Sequence, residues 1–140
     1  MEFILSLVSL FLAGMCKGVM DTLQFHFSVS IFKNRKAQFW NPQESWRNKY
    51  KDGDPTKGPK FPGSTTIFVA LTDGWHLFQL FMLACIRTAI VLPASARLDL
   101  SANPKLNLLY WFLVWVALIP VFSGGFYLMY YRWLNAKTDG

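Results

Sequence analysis

Charged residues are scarce in this 140-residue sequence, at 16% of the chain, whereas hydrophobic residues make up 53% and aromatic residues 17%. A soluble domain carries roughly 25% charged residues. A chain of this length keeps a large surface relative to its volume, so a water-soluble fold could not bury this much apolar surface. The composition therefore argues against a soluble domain and favours lipid as the solvent.

Cysteine is also rare: Cys16 and Cys85 are the only two, and neither belongs to a CxxC or other metal-ligand spacing. Both fall within apolar segments, as is typical of small buried hydrophobic residues, so the disulfide framework of a secreted domain is excluded. The first apolar run lacks the basic n-region and the small-residue cleavage site of a signal peptide, because Glu2 stands in the n-region. We therefore interpret this run as a mature helix.

Three apolar stretches are long enough to cross a bilayer, which takes about 20 residues. They predict transmembrane helices over residues 3–22, 66–92 and 106–131. The predicted fold class is an all-α integral membrane bundle of about three transmembrane helices, with residues 1–140 forming a single transmembrane domain.

Positive charge is concentrated in the first loop, where residues 33–60 hold eight basic and three acidic residues, a net +5 of the chain's +6. A basic loop between apolar spans is typical of the cytoplasmic side of an inner membrane. The N-terminus is then outside and the C-terminus cytoplasmic, and nucleic acid is excluded as a partner because the charge is confined to this loop. Aromatic residues recur through residues 33–62, unlike in disordered segments, which predicts an ordered interfacial loop.

Ionisable side chains in or beside membrane spans are costly and usually mark function. Asp21 and His26 lie near the end of the first span, and Asp73 and His76 lie near the start of the second. We expect these four candidate catalytic residues to converge at the cytoplasmic rim. Two imidazoles and two carboxylates hold a divalent metal such as zinc, or they perform acid–base catalysis without one.

Structural interpretations of the same residues stay open. Asp73 and His76 are three residues apart and can hydrogen-bond as part of helix packing, while Lys17 and Asp21 can form an i,i+4 ion pair. Asp21 and His26 lie about 140° apart on an ideal helix, so both join one site only if the helix bends near Thr22.

The segment PGSTT before the second span is predicted to begin that helix, with free backbone N–H groups and three hydroxyls. Arg47 and Lys49 lie nearby in the sequence, and arginine grips phosphate through two hydrogen bonds. Ser64, Thr65 and Thr66 would complete a site for a phosphate or a lipid headgroup. The alternative is that Ser64 or Thr65 simply caps the helix.

The motifs MDTLQFH, FWNPQESWRNKY, FPGSTT and LTDGWH lie between residues 17 and 76, a little under half of the chain. This stretch resembles small bacterial multi-pass membrane proteins to which no reaction is assigned. The resemblance implies a multi-pass membrane protein and no particular activity.

Our working hypothesis is a membrane-embedded hydrolase or transferase that acts on a phosphorylated lipid at the cytoplasmic leaflet through the Asp/His site. The alternative is a non-catalytic structural or partner subunit of a larger membrane complex, and a third possibility is a proton path along Asp73, His76 and Arg87. Expected partners are membrane lipids, with further copies of the chain or other membrane subunits. The substrate, the identity of any metal and the oligomeric state stay open.

Overall fold

The computed structural model describes residues 2–95, 98 and 101–127, and all regular structure in these residues is helical. The long helices are α1 (Glu2–His26), α4 (Gly74–Ser95) and α5 (Pro104–Tyr127). The short helices are α2 (Ala37–Trp40) and α3 (Pro42–Ser45). Single 3-10 turns cover Phe27–Val29, Trp46–Lys49, Lys51–Gly53, Pro55–Lys57 and Val69–Leu71. The predicted all-α class is confirmed for the described residues.

Two helical segments are long and apolar enough to cross a membrane, Phe3–Val29 with a mean hydropathy of 2.0 and Gly74–Ser95 with 1.9. At about 1.5 Å per residue, each exceeds the roughly 30 Å of bilayer hydrocarbon. A third apolar stretch, Pro104–Pro120, is shorter. The end of the predicted third span, residues 128–131, and the C-terminus lie outside the described residues.

The predicted start of the second span at residue 66 is wrong, because α4 begins at Gly74. Gly63 adopts φ +81°, where a β-carbon would meet the ring of Phe68 at 2.7 Å. From there the chain folds back in tight turns, with the amides of Thr66 and Phe68 both donating to the Gly63 carbonyl. Residues 66–73, which the sequence assigned to the first turns of the helix, therefore lie in turns before it. Asp73 is the residue that caps α4.

Contacts divide the chain into two compact units, one of Leu7–Ile86 and one of Met1–Ser6 with Arg87–Gly140. In the first unit, the buried face of α1 presents Met20 and Leu23, which are 4% and 1% exposed. The loop between α1 and α4 contributes further buried residues to this unit. These residues are Ser45, Ser64, Ala70, Thr72 and Asp73.

The loop after α3 doubles back on itself. Lys51 N donates to Gly58 O at 3.0 Å, and Lys60 N donates to Lys49 O at 2.9 Å. At its tip the Thr56 side chain, and then the Thr56 amide, donate hydrogen bonds that lower the pKa of Asp54 below its ordinary value. The basic loop is therefore folded by its own backbone and side-chain hydrogen bonds.

An aromatic cluster around Trp40 of α2 joins the basic loop to α4. The Trp40 ring stacks on Phe32 with centroids 4.9 Å apart, meets Phe39 edge-on at 5.1 Å and lies 6.3 Å from Phe78 of α4. Offset and edge-on pairs of this kind add about 0.5–1.5 kcal/mol each beyond area burial. The cluster packs the loop against the first turns of α4.

In the second unit, Trp115 of α5 contacts two residues of α4. Its ring lies 4.2 Å from the Arg87 guanidinium carbon, and its indole N–H donates to Thr88 Oγ1 at 3.3 Å. A cation over an indole face is attracted by the ring quadrupole. The apolar second half of α4 therefore accommodates a guanidinium through an aromatic ring.

Candidate functional site

Asp73 caps the N-terminus of α4. Its Oδ1 accepts a hydrogen bond from the His76 amide at 2.9 Å, and its carbonyl accepts the first helical bond from the Leu77 amide at 3.1 Å. An aspartate at this position satisfies an amide that the helix leaves without a partner, and its charge interacts favourably with the helix dipole. The local sequence Thr-Asp-Gly-Trp-His therefore fixes the carboxylate at the helix start.

The second carboxylate oxygen of Asp73 pairs with the imidazole of His76, with Oδ2 and Nδ1 2.7 Å apart. The Asp73 side chain is 3% exposed and that of His76 is 31% exposed. Because a carboxylate oxygen accepts, Nδ1 carries the hydrogen, and the neutral ring then has its lone pair on Nε2. Within the described residues no hydrogen bond engages Nε2. The pair is a carboxylate-oriented imidazole with one nitrogen available for proton transfer.

A cavity of about 180 Å³ opens beside this pair. The residues that line it come from α1, from α3 and the turn after it, and from the start of α4. They are Gln24, Pro42, Ser45, Trp46, Asp73, Trp75 and His76. None of these described lining residues is a lysine or an arginine. Two indoles, a proline ring and neutral polar groups therefore surround the imidazole.

Gly74 lets the aromatic cluster approach the pair. A β-carbon at Gly74 would lie 2.8 Å from Cε3 of Trp40 and 3.4 Å from the Phe39 carbonyl oxygen. Carbon atoms repel strongly at the first distance, since favourable contacts begin at about 3.5 Å. The glycine after Asp73 is therefore required by close packing of the loop on the first turn of α4.

Asn48 ties the basic loop to the residue before Asp73. Its Nδ2 donates to the carbonyl of Thr72, which is 1% exposed, and its Oδ1 accepts from Lys60 Nζ at 2.7 Å. A buried carbonyl without a partner costs about 1–3 kcal/mol, so this side chain fixes the backbone that carries the carboxylate.

The four predicted catalytic and metal-binding residues do not form one group. No three His, Cys, Asp or Glu side chains among the described residues lie together as metal ligands. Asp21 instead pairs with Lys17, as the ion-pair interpretation predicts, and α1 runs unbroken to the exposed His26. Without a bend near Thr22, residues five apart lie on different faces of the helix, which is why the predicted convergence fails.

The predicted phosphate site does not form at the start of a helix. Ser64 is fully buried, donates to Lys49 O at 2.7 Å and accepts from Lys60 N at 3.1 Å, so its hydroxyl closes the loop. Thr65 and Thr66 lie in turns before α4. The prediction is wrong in its geometry because the PGSTT segment folds against the basic loop and does not open α4.

The basic residues of the predicted phosphate site lie over aromatic rings. Arg47 stacks over Trp46 at 5.1 Å, and Lys49 lies 5.5 Å from the centre of Tyr50. Arg47 also lines an open polar basin of about 580 Å³. The other lining residues are Gln38, Gln43, Glu44, Asn48, Tyr50, Asp52, Gly53 and Lys60.

Gln24, Ser45 and Asn48 are polar residues near the pair that the sequence did not single out as site residues. Gln24 had a local signal, since it shares a helix face with Asp21. Ser45 and Asn48 reach α4 from the loop, where no periodicity relates them to Asp73. Only the folded loop brings them there.

The described residues thus define a helical protein with apolar helices of membrane-spanning length and, beside a small cavity, a buried carboxylate paired with a half-buried imidazole. Comparison with protein-family models, with curated proteins and with solved structures finds no match to this chain.

Proposed function

We propose that this chain is a multi-pass membrane protein that acts as a hydrolase or transferase on a phosphorylated lipid at the cytoplasmic leaflet, with His76 as its acid–base group. The observation that carries the proposal is the 2.7 Å contact between the buried Asp73 carboxylate and His76 Nδ1 beside an open cavity. A carboxylate that orients an imidazole in this way is the standard arrangement for a catalytic histidine.

Exposure of the apolar helices supports the membrane part of the proposal. Only 17% of the most apolar stretch of α1 and 6% of that of α4 are buried inside the protein. The core helix of a soluble protein would be mostly buried, whereas large exposed apolar surfaces need another covering. Lipid supplies that covering. The motifs that resemble small bacterial multi-pass proteins belong to the same proposal.

Position supports the lipid substrate. His76 lies in the first turn of α4, which is a membrane span in this proposal, and the +5 loop packs on that turn through the Trp40 cluster. A headgroup phosphate lies at this depth in an inner leaflet. In the proposal, Arg47 and Lys60 on the polar basin hold the phosphate, and Asn48, which lines the basin, connects it to Thr72 beside the pair.

Proton transfer without a protein-bound metal fits the donor set better than a zinc centre. One carboxylate and one imidazole lie together at the pair, whereas catalytic zinc takes three protein ligands. Asp73 fixes the ring orientation and the tautomer, so Nε2 removes a proton from the attacking group and then returns it to the leaving group.

The alternative, a non-catalytic subunit, is favoured by one observation. Both carboxylate oxygens of Asp73 are engaged by His76 through its amide and its ring, which also describes a purely structural helix cap. The two functions differ in what the ring nitrogen Nε2 does, and this difference can be measured.

The test uses purified full-length protein reconstituted with vesicles of phosphatidylglycerol and phosphatidylethanolamine. Mass spectrometry of the lipids reports released fatty acid, released headgroup and exchanged products. We expect turnover by the wild type and a loss of about 100-fold or more in His76→Gln, the size expected for a missing general base. The matched control is His26→Gln, which alters the exposed histidine outside the cavity and should keep the wild-type rate.

Equal rates for His76→Gln and the wild type would assign the pair to helix capping and leave the subunit function in its place. An absence of turnover by the wild type on these lipids would reject the proposed lipid hydrolase or transferase.

A further inference from the structure

Ser45 is a cavity residue whose side-chain hydroxyl makes no hydrogen bond described within the structure. Its side chain lines the same cavity as His76, and the residue is 4% exposed. No hydrogen bond is described for its Oγ. Every fully buried polar side-chain atom in the described residues has a hydrogen-bond partner, so this oxygen is not one of the fully buried atoms. The hydroxyl oxygen is therefore not fully enclosed by protein, and the cavity that Ser45 lines is the open space beside it.

The position of Ser45 is set by a rigid local structure. Asn41 caps α3 by accepting from the Gln43 amide at 3.1 Å, and Pro42 occupies the first helical position. The Ser45 amide donates to the Asn41 carbonyl at 2.7 Å. A capped turn that begins with proline fixes the backbone that carries Ser45.

We propose that Ser45 is the nucleophile of this site and that the bond it attacks is a carboxylic ester of a membrane lipid. The inference rests on the proposed function and specifies its chemistry. His76 contacts one of the two groups it needs, the Asp73 carboxylate, through Nδ1, and it shares the cavity with the other, Ser45. Serine, histidine and aspartate in these roles are recognised by geometry on many unrelated folds.

The charges around the cavity favour a carboxylic ester over a phosphate ester as the bond that is attacked. Phosphoryl transfer relies on arginine, lysine or metal to neutralise the equatorial oxygens, and no lysine or arginine is among the described residues that line the cavity. An ester carbonyl is neutral, and the oxyanion that develops on it needs only one or two neutral donors. Gln24 lines the cavity, and its side-chain amide is the donor that we assign to this role.

The reaction needs no reactant other than the lipid ester and water. Ser45 Oγ bonds to the ester carbonyl carbon while its proton passes to His76 Nε2. The carbon–oxygen bond to the leaving alcohol then breaks, and the alcohol takes that proton. Water, deprotonated by the same nitrogen, attacks the acyl-serine, and the fatty acid leaves as Ser45 regains its proton.

The first test uses an alkyl fluorophosphonate, which phosphonylates activated serines with loss of fluoride, on full-length protein in detergent. Peptide mass spectrometry should locate the label on Ser45 in the wild type. Labelling should vanish in Ser45→Ala and fall about 100-fold in His76→Gln. Ser28→Ala, an exposed serine of the 3-10 turn after α1, is the matched control and should keep the wild-type rate.

A second measurement does not depend on the folding of Ser45→Ala. In Ser45→Cys, iodoacetamide alkylation at position 45, followed by mass spectrometry, should be at least 10-fold faster at pH 7 than in Ser45→Cys/His76→Gln, because the imidazole favours the thiolate. Equal alkylation rates, or fluorophosphonate labelling of another residue or of none, would overturn the nucleophile assignment.

The vesicle assay separates this inference from the proposed function. If Ser45→Ala still releases fatty acid or headgroup in a His76-dependent way, then His76 activates water directly, the serine assignment fails and the proposed function stands. If the wild type releases headgroup phosphate and no fatty acid, then the ester assignment fails alone.

Discussion

Gly74→Ala tests whether close packing of the loop on α4 holds the site together. A β-carbon at this position would lie 2.8 Å and 3.0 Å from two ring atoms of Trp40. Comfortable carbon–carbon contact begins at about 3.5 Å, so the ring must move by several tenths of an ångström. It has little freedom to do so, because Phe32 stacks on it at 4.9 Å and Phe39 meets its edge.

The expected magnitude follows from two opposing effects. Overpacking of a rigid site costs about 1–3 kcal/mol, and alanine in a helix returns at most about 1 kcal/mol relative to glycine. The net loss lies between about 0 and 3 kcal/mol, which is up to roughly 10 °C in Tm for a chain of this size. Near-ultraviolet circular dichroism of the purified protein in detergent, which reports on the tryptophan environment, measures the transition.

Gly14→Ala is the matched control, because no atom lies within 4 Å of a β-carbon built at this glycine in the interior of α1. There the substitution removes backbone freedom without a clash, so Tm should stay constant or rise slightly. If Gly74→Ala and Gly14→Ala shift Tm equally, the packing of Trp40 on the start of α4 does not have the closeness described here, and the reasoning is refuted.

Two further predictions concern orientation and the link between the loop and α4. The first variant carries Lys57→Cys in a chain whose native cysteines are replaced by alanine. This cysteine should resist a membrane-impermeant maleimide in intact cells and react after lysis, because the positive loop is cytoplasmic. Labelling in intact cells would reverse the topology. Asn48→Ala should lower the free energy of unfolding by about 1–3 kcal/mol, because it leaves the buried Thr72 carbonyl without its donor. Asn48→Asp should not restore the lost stability, since a carboxylate keeps the contact to Lys60 but has no N–H. An exposed turn residue, Asn34→Ala, provides the reference in the same thermal assay, and a loss no larger than that reference would contradict the structural role of Asn48.

Helix ends show how far local patterns extend. Apolar runs predicted α1 and α4, since length and composition are properties of consecutive residues. The start of α4 was misplaced by eight residues, because Gly63 turns the chain and Ser64 bonds to Lys49, fifteen positions earlier. A cap that looks suitable in sequence loses its role when a tertiary contact takes its hydroxyl.

Among the candidate residues, the sequence by itself determined the adjacency of Asp73 and His76, because residues three apart on a helix are neighbours on its surface. That Asp73 caps the helix was decided by the structure. The sequence also determined the Lys17–Asp21 pair, through the i,i+4 spacing. Tertiary structure alone decided that Asp21 and His26 form no metal-ligand group with Asp73 and His76 among the described residues, and that Gln24 and Ser45 line the cavity beside Asp73. Spacing along one helix is a local quantity, whereas Ser45 and His76 are 31 positions apart in the sequence and line one cavity because of hydrogen bonds and ring contacts that no periodicity encodes.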